Sequence, residues 1–440
     1  MTVKTRKILF YSAVLLFVII GITAIFYSNG WRFDLETMSI NKLGALFFEI
    51  KPDDALIMID KTSFKFDPGF LRSGIVIANL FPKEYTVKIS KEDYLSWTKE
   101  LEVLPSFVTK APPIILLPEK IDLVPALAQK INNFWIGPKY LIVSKENNVL
   151  EFDSQTIIGN KVLRWSADGE KVITSLDNSY FATDLATPAN SINLNSMFEN
   201  LQKNTLKDNS RINSVDFSPA DKNQYIFSTQ NGLYMADSKK INIEIIRKEP
   251  VDTFGRFEDK IIFSVKGKIF IHRPFLGIQE PLLSQDFDSI KEINVSPSGY
   301  YVSIIENNGN LYVFDRKSLT LSKISEGVVS SYFSPNSQKI AYINANNELG
   351  IYPLESSAGY NQEKPSRFNL GLIEKEIIWY QDSEHLFIKY PSSLYLLEAN
   401  SLPPINLQII DFETNKYQYN ADENTVYLLK NNNLYKTKLE

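Results

Sequence analysis

The chain has 440 residues, a hydrophobic content of 44% and a formal net charge of -4, so it is a folded protein of two or three units and not a disordered one. The near balance of 47 basic and 51 acidic side chains excludes the basic stripe of a typical nucleic-acid-binding protein. Cysteine is absent, which excludes disulfides, thiolate nucleophiles and cysteine metal sites.

The first predicted element is a transmembrane helix over residues 8–27, "ILFYSAVLLFVIIGITAIFY", which contains no charged residue. At about 1.5 Å per residue, a helix of this length crosses a hydrocarbon core of about 30 Å. Lys4, Arg6 and Lys7 precede it, and the positive-inside rule therefore predicts that the stub 1–7 is cytoplasmic. The rest of the chain is then extracytoplasmic, and the bilayer is a predicted partner.

A cleaved secretory signal is the alternative for this helix. Such signals have shorter apolar regions and a small-x-small cleavage site, whereas the helix here ends in "AIFYSNGW". The sequence therefore favours an uncleaved anchor and a single-pass protein of the cell membrane. Tyr27, Trp31 and Phe33 lie where an interfacial aromatic belt is expected.

Residues 28–42 are predicted to be a linker, and residues 43–117 a small β-sandwich. In "LFFEIK", Leu46, Phe48 and Ile50 point one way while the residues between them point the other, and "YTVKIS" repeats this pattern. Such alternation predicts half-buried strands. About six or seven of them fit a compact sandwich.

This region resembles a PEGA domain, a family named for a Pro-Glu-Gly-Ala turn between its first two strands. The resemblance rests on "IKPDDALIMIDKTSF", in which residues 52–55 occupy that turn, and on "DYLSW", which matches the family's "GY..W". Asp54 and Asp93 stand where the family has glycine, and aspartate tolerates the left-handed conformation better than most residues, so both turns are expected to form. The resemblance implies a spacer or adhesion module without catalytic residues, in a prokaryotic surface or envelope protein.

Residues 118–440 contain a repeat. A residue that ends a predicted strand recurs about every 41 residues, and a second and a third strand follow each recurrence. The eight recurring residues are Trp135, Trp165, Phe217, Phe257, Val295, Phe333, Trp379 and Tyr419. The repeat predicts a β-propeller of eight blades, or of seven with one additional hairpin, and the fold class is all-β apart from the N-terminal helix.

The last predicted blade has three strands of its own and needs a fourth. Residues 120–127, "KIDLVPAL", precede the first repeat and are expected to supply it, which would close the ring and leave no open sheet edge. The turns "SPSG" at 296–299 and "SPNS" at 334–337 resemble the "SPDG" turn of TolB-like propellers. That resemblance implies a module that binds proteins, peptides or sugars.

No catalytic, cofactor or metal-binding residue is predicted, and neither is an enzymatic activity. The chain lacks a Gly-x-Ser-x-Gly motif, and its two histidines, His272 and His385, fall on different predicted blades as surface or packing residues. Four aspartates fall at equivalent turns, where hydrogen bonding within the turn is favoured over a calcium site. They are Asp168, Asp221, Asp382 and Asp422.

The binding residues stay unknown at this stage. Two irregular segments are candidates, since binding residues often lie on loops held by a rigid scaffold. They are Thr187–Arg211, with a short helix predicted around 196–203, and Glu355–Glu374, which contains Tyr360 and Arg367. The alternative is that both are tolerated surface loops.

These predictions together describe a membrane-anchored, extracytoplasmic binding or scaffolding protein of the prokaryotic envelope, whose propeller binds an envelope protein or a glycan. Two alternatives stay open. One is an envelope carbohydrate-processing enzyme with carboxylates lining the central channel, and the other is a TolB-like partner of a membrane complex.

Overall fold

The computed structural model describes residues 3–35, 38–65, 74–145, 148–203, 210–240, 242–274, 276–283, 285–355, 364–371 and 376–439. The first element is α1 (Val3–Ser28), an apolar helix of 26 residues with no buried side chain. Its length and composition suffice to cross a bilayer, a criterion that a signal sequence near the N-terminus also meets.

Residues 28–42, predicted to be a linker, contain an antiparallel hairpin. Its strands are β1 (Trp31–Asp34) and β2 (Ser39–Lys42), paired so that Phe33 lies opposite Ile40. Strands of four residues are too short to show a clear period in the sequence, which is why this hairpin was not predicted.

A two-layered β-sandwich follows, with nine strands in the described part of residues 43–117, not the six or seven predicted. The strands are β3 (Gly44–Phe48), β4 (Ile50–Lys51), β5 (Leu56–Ile59), β6 (Thr62–Lys65), β7 (Ile75–Leu80), β8 (Glu84–Ser90), β9 (Trp97–Glu102), β10 (Val108–Lys110) and β11 (Ile114–Ile115). One layer has the order β6-β5-β8-β9, and the other consists of β10-β3-β7 and β11-β4. Because β4 and β11 have two residues each, alternation could not reveal them.

The core of the sandwich lies between these layers. The side chains predicted to point inward are buried, which confirms the alternation argument. They are Leu46, Phe48 and Ile50 on β3 and β4, and Tyr85, Val87 and Ile89 on β8. Asp54 and Asp93 have φ angles of 71° and 63°, so both take the left-handed conformation expected of them.

Seven four-stranded antiparallel sheets come next, each built from four consecutive strands and numbered here in chain order. Sheet 1 consists of β13 (Asn133–Ile136), β14 (Leu141–Ser144), β15 (Leu150–Phe152) and β16 (Gln155–Ile157). Sheet 2 consists of β17 (Lys161–Trp165), β18 (Lys171–Leu176), β19 (Ser179–Asp184) and β20 (Ile192–Asn193). Sheet 3 consists of β21 (Ile212–Phe217), β22 (Gln224–Thr229), β23 (Gly232–Asp237) and β24 (Asn242–Arg247). The helix α2 (Leu194–Leu201) lies between β20 and β21.

The remaining sheets repeat this plan. Sheet 4 consists of β25 (Thr253–Phe257), β26 (Lys260–Val265), β27 (Lys268–Arg273) and β28 (Ile278–Pro281), and sheet 5 of β29 (Ile290–Val295), β30 (Tyr301–Glu306), β31 (Leu311–Asp315) and β32 (Thr320–Ser325). Sheet 6 consists of β33 (Val328–Phe333), β34 (Lys339–Asn344), β35 (Leu349–Pro353) and β36 (Ser366–Phe368). Sheet 7 consists of β37 (Ile378–Trp379), β38 (His385–Tyr390), β39 (Ser393–Glu398) and β40 (Leu407–Asp411). All eight residues of the predicted repeat lie at or next to the end of a first strand.

Sheet 8 combines a strand that precedes the first repeat with the three strands of the last repeat. Three of its strands are β41 (Lys416–Asn420), β42 (Thr425–Lys430) and β43 (Asn433–Thr437), and the fourth is β12 (Val124–Pro125). Val124 pairs with Lys436 and Pro125 with Tyr435, so residues 120–127 supply the missing strand as predicted.

Buried apolar clusters join the sheets into a ring. Within the described residues one such cluster lies between each sheet and the next, because a single sheet cannot bury both of its faces. A further cluster, which contains Phe134 and Leu434, joins sheet 8 to sheet 1. First strands of neighbouring sheets contact each other at four places around the ring, namely β13 with β41, β17 with β21, β25 with β29 and β33 with β37, so the first strands surround the centre. This is the arrangement of a β-propeller.

The sandwich packs directly against sheet 7. Lys99 Nζ lies 3.0 Å from Glu398 Oε2, and both side chains are almost completely buried. Trp97 Nε1 donates to the same oxygen at 3.3 Å. The side-chain oxygen of Gln408 accepts from the Leu117 amide at 3.0 Å. These contacts fix the orientation of the sandwich relative to the ring.

Candidate functional site

An open pocket of about 960 Å³ lies on the inner wall of the ring, where the first strands of sheets 5, 6 and 7 reach their turns. Tyr332 and Phe333, at the end of β33, are half-buried and form its centre. Trp379 closes the side of sheet 7, and its Nε1 donates to the Tyr332 carbonyl at 2.9 Å. Pro297 and Pro335, in the turns after β29 and β33, form the rim. The pocket therefore has aromatic walls held by neighbouring sheets.

Two carboxylates stand in this pocket. Glu292 lies on β29, and Glu376 lies two residues before β37. Burial raises the pKa of the Tyr332 phenol, and the charges of Glu376 and Glu292 raise it further, so both carboxylates act on this ring. Asn294 Nδ2 donates to Glu292 Oε1 at 2.5 Å. Among the described residues neither glutamate forms an ion pair, so the pocket favours a positively charged group.

Basic side chains lie elsewhere on the first strands. Asp216 on β21 lies between Arg164 and Arg256, at N–O distances of 3.3 and 3.2 Å. Burial raises the pKa of Asp216, and the two arginines oppose that shift. Asp216 therefore has two ion-pair partners, whereas Glu292 and Glu376 have none within the described part of the chain.

Lys416 lies on β41, the first strand of sheet 8, which follows sheet 7 in the ring. Burial lowers its pKa to about 8, and the Glu376 carboxylate opposes the shift. Its Nζ donates to Asn133 Oδ1 at 2.8 Å and to the Phe134 carbonyl at 2.6 Å. Lys416 thus joins sheets 8 and 1 on the inner wall.

The aspartates at the equivalent turns mostly do what the sequence predicts. Asp168 Oδ1 accepts from the Glu170 amide, Asp221 Oδ1 from the Asn223 amide and Asp382 Oδ1 from the Glu384 amide, at 3.1, 2.8 and 2.8 Å. At the fourth turn the acceptor is Asn420, which takes a hydrogen bond from the Asp422 amide at 3.1 Å. In the described residues no group of three or more His, Asp or Glu side chains could hold a metal ion.

These turns also bond to one another around the ring. The Ser298 amide donates to Ser337 Oγ of the next turn at 2.9 Å, and the Asn336 amide donates to Ser383 Oγ at 3.0 Å. Both acceptor serines have φ of 63°, at the turn position where the other copies, Gly169 and Gly299, have glycine. Where serine replaces the glycine of the "SPDG" pattern, its hydroxyl therefore forms a hydrogen bond with the neighbouring turn.

The two histidines lie on sheets 4 and 7 and do not meet. His385 is buried, with Nδ1 2.6 Å from Asp382 Oδ2. Burial lowers the pKa of His385, but the Asp382 charge outweighs it and the pKa is raised overall. His272 is also buried, with Nε2 3.3 Å from Glu244 Oε1. Both are packing residues, one of the two roles predicted.

The two candidate segments contribute packing in their described parts. In Thr187–Arg211 the predicted helix is confirmed as α2, although it starts two residues earlier and residues 204–209 lie outside the described residues. α2 buries three side chains between sheets 2 and 3, namely Leu194, Phe198 and Leu201. In Glu355–Glu374 Arg367 is exposed on β36, while Tyr360 lies outside the described residues.

Sequence reasoning missed the pocket, because its residues come from three repeats and no single stretch shows it. The available signal was a glutamate on or just before a first strand. Glu292 and Glu376 both occupy such places, close to the strand-ending residues of their repeats.

No protein-family model matches the chain, and no curated protein matches it. In fold it is similar to the C-terminal WD40 domain of Sif2, with a TM-score of 0.46 and 12% identity over 71% of this chain and 97% of that one. It is also similar to the β-propeller domain of Cps50 (Swd1) from Myceliophteria thermophila, with a TM-score of 0.43 and 9% identity over 72% and 100% of the two chains. Likeness at this level says nothing about ligand or activity.

Proposed function

We propose that this chain is a single-pass, membrane-anchored binding protein of the prokaryotic envelope, with a PEGA-like sandwich as spacer and an eight-bladed propeller as binding platform. In this proposal α1 is an uncleaved anchor, the N-terminus is cytoplasmic and the bulk of the chain is extracytoplasmic. The blade count is supported by the eight four-stranded sheets in the described residues after 117 and by the strand pairing of Val124 with Lys436.

The observation that carries the binding role is the aromatic, acidic pocket on sheets 5 to 7. Rings such as Tyr332 and Phe333 bind apolar stems and cations, and the two glutamates, neither of which forms an ion pair within the described residues, add negative charge. A lysine or arginine side chain on an extended protein segment matches both properties. The ligand class is therefore a basic segment of an envelope protein.

Photo-crosslinking in intact cells tests this role. A photoreactive residue at Phe333 is expected to capture a protein partner, and the same residue at Leu319, which is 75% exposed on the β31–β32 turn, is the control. Neutralising the pocket with Glu292→Gln and Glu376→Gln should reduce the Phe333 adduct at least tenfold. Glu326→Gln, at an exposed carboxylate outside the pocket, should leave it unchanged. An adduct that is insensitive to the pocket charges would contradict the proposal.

Protease treatment of whole cells tests the topology. The sandwich and the propeller should be digested or released together with a known outside marker, while the helix remains with the membrane. If the C-terminal region resists digestion after that marker is lost, the proposed orientation is wrong.

A carbohydrate-processing enzyme is the second candidate, and the observation that favours it is the pair Glu292 and Glu376 in one pocket, since glycosidases use paired carboxylates. We prefer the non-catalytic function because the aromatic walls of the pocket, together with the two carboxylates, match a bound basic side chain. Hydrolysis of cell-wall fragments by the purified chain, lost on Glu292→Gln or Glu376→Gln and kept on Glu326→Gln, would favour the enzyme.

A further inference from the structure

The hairpin of β1 and β2 has one apolar and one polar face. Its pairing places Phe33 opposite Ile40 and Trp31 opposite Lys42 on one side, and the residues between them on the other. Phe33 and Ile40 are 52% and 57% exposed, and beyond the strands Leu35 and Met38 are 79% and 73% exposed. We define the hairpin face as Trp31, Phe33, Leu35, Met38 and Ile40; residues 36–37 are not part of it.

Polar residues form the opposite side of the hairpin. They are Arg32, Asp34, Ser39 and Asn41, and Asn41 Nδ2 donates to Ser39 Oγ at 2.7 Å. Contiguous exposed apolar side chains next to such a polar side are rare on a protein that meets only water, and they mark a surface that contacts something else.

The hairpin is held to the end of α1 by specific contacts. Arg32 Nη1 donates to the Tyr27 carbonyl at 2.7 Å, and the Arg32 guanidinium lies 3.4 Å from the centre of the Tyr27 ring. The Phe26 and Trp31 rings are 6.0 Å apart. The Leu43 amide donates to the Gly30 carbonyl at 3.0 Å, which brings the far end of the hairpin back to its start. The hairpin therefore follows the helix closely and is not a free arm.

The apolar surface of α1 thus continues onto the hairpin face. Residues 8–27 of α1 span about 30 Å, which equals the thickness of the hydrocarbon core, so Ser28 at the end of the helix is placed at the headgroup region. Tyr27 and Trp31 at this level are side chains that favour the membrane interface, and Lys42, with Nζ 5.4 Å from the Trp31 ring, is placed to reach lipid phosphates.

We propose that the hairpin face lies in the headgroup region of the bilayer, beside the helix that crosses it. This inference rests on the proposed role of α1 as an anchor and adds a second membrane contact. Two contacts set the direction in which the sandwich leaves the membrane, whereas a single helix followed by a flexible linker would leave it free to rotate.

Site-specific fluorescence tests the proposal, because the chain contains no cysteine and a single introduced one is labelled uniquely. The full chain is placed in phosphatidylcholine and phosphatidylglycerol vesicles that carry nitroxide lipids. A polarity-sensitive dye at Ile40→Cys or Phe33→Cys should be quenched at least threefold more strongly than one at Asn41→Cys on the polar face. Lys88→Cys, exposed on β8, is the reference for water.

Leu15→Cys, in the middle of α1, separates the two possible failures. If Leu15 is quenched and Ile40 and Phe33 match the water reference, the helix is an anchor and the hairpin proposal is overturned. If Leu15 itself is not quenched, the anchor fails and the inference fails with it. Equal quenching at Ile40 and Asn41 also overturns the proposal, because it would show that the two faces are not distinguished by the bilayer.

Discussion

Ser337 and Ser383 have a backbone conformation that usually favours glycine, and the structure supplies the reason. Each hydroxyl accepts a hydrogen bond from a backbone amide in the neighbouring turn. A left-handed serine costs roughly 1 kcal/mol relative to glycine, and a hydrogen bond contributes about the same. The two effects on the free energy of unfolding therefore nearly cancel. The serine, unlike glycine, also provides a hydrogen bond between neighbouring sheets.

This balance predicts an order of stabilities at Ser337. Ser337→Ala keeps the backbone strain and loses the acceptor, so it should lower the free energy of unfolding by about 1–2 kcal/mol. Ser337→Gly loses the same acceptor but relieves the strain, so its effect should be smaller. Urea unfolding of the full chain in detergent measures both, with exposed Ser401→Ala as the control. Equal effects of alanine and glycine would contradict the argument.

Lys416 makes stability depend on pH in the alkaline range. Its pKa in the folded protein is about 8 against 10.5 for a free lysine, so between these values the unfolded state binds more protons. Stability should therefore rise as the pH increases from 8 to 10.5, by on the order of 3 kcal/mol. The difference in unfolding free energy between the parent chain and Lys416→Met should show this rise. Lys88→Met, at an exposed site, should not produce it.

At the scale of elements, α2 is the clearest case of an insertion used for packing. Phe198 is 1% exposed and stacks on Phe227 with ring centres 4.5 Å apart. Asn193 caps the helix, with its Oδ1 accepting from the Ser196 amide at 3.0 Å. The helix thus covers apolar surface between sheets 2 and 3, where β20 has only two residues.

Removing the Phe198 ring should therefore be costly. Phe198→Ala is expected to destabilise the chain by about 3–5 kcal/mol, because it leaves a cavity in a buried cluster. Glu199→Ala, at the next and exposed position of the same helix, should change the free energy by less than about 0.5 kcal/mol. Thermal unfolding by circular dichroism would distinguish them. A small effect of Phe198→Ala would show that the helix is not part of the core.

The sequence revealed elements where the period was long or the alternation clean. The eight strand-ending residues and the eight third strands could be found because each repeat carries the same order of strands. The β1–β2 hairpin and the two-residue strands β4 and β11 could not, because a period needs more residues than they have. The pocket escaped for another reason, since Glu292 and Glu376 meet only once three repeats are placed side by side.

At the scale of the whole molecule, the sequence indicates one half of the junction between the sandwich and the ring but not the other half. In "WTKELE" Lys99 stands between Trp97 and Leu101 on the buried side of β9. A charged residue at an inward position requires a buried partner, and that partner, Glu398, lies in a distant repeat. The alternation could therefore indicate the need for a contact but not its location.

Breaking this junction should separate the unfolding of the two modules. Lys99→Met leaves the Glu398 carboxylate buried without its cation, which should cost about 3–5 kcal/mol. Calorimetry of the full chain should then show two transitions where the parent shows one, and Lys99→Met with Glu398→Gln should recover part of the loss. Lys110→Met removes an exposed sandwich ion pair with Glu49 and should cost less than about 1 kcal/mol. Similar effects of both single changes would refute a buried link.

The pairing of β12 with β43 has a consequence for biosynthesis. Val124 is translated about 310 residues before its partner Lys436, so the ring cannot close until β43 has been made. Until sheet 8 is complete, the apolar faces of sheets 1 and 7 that pack against it stay uncovered. The sandwich is translated earlier, and domains generally fold as units in the order of translation. It therefore provides a folded surface on which sheet 7 can dock before sheet 8 is complete.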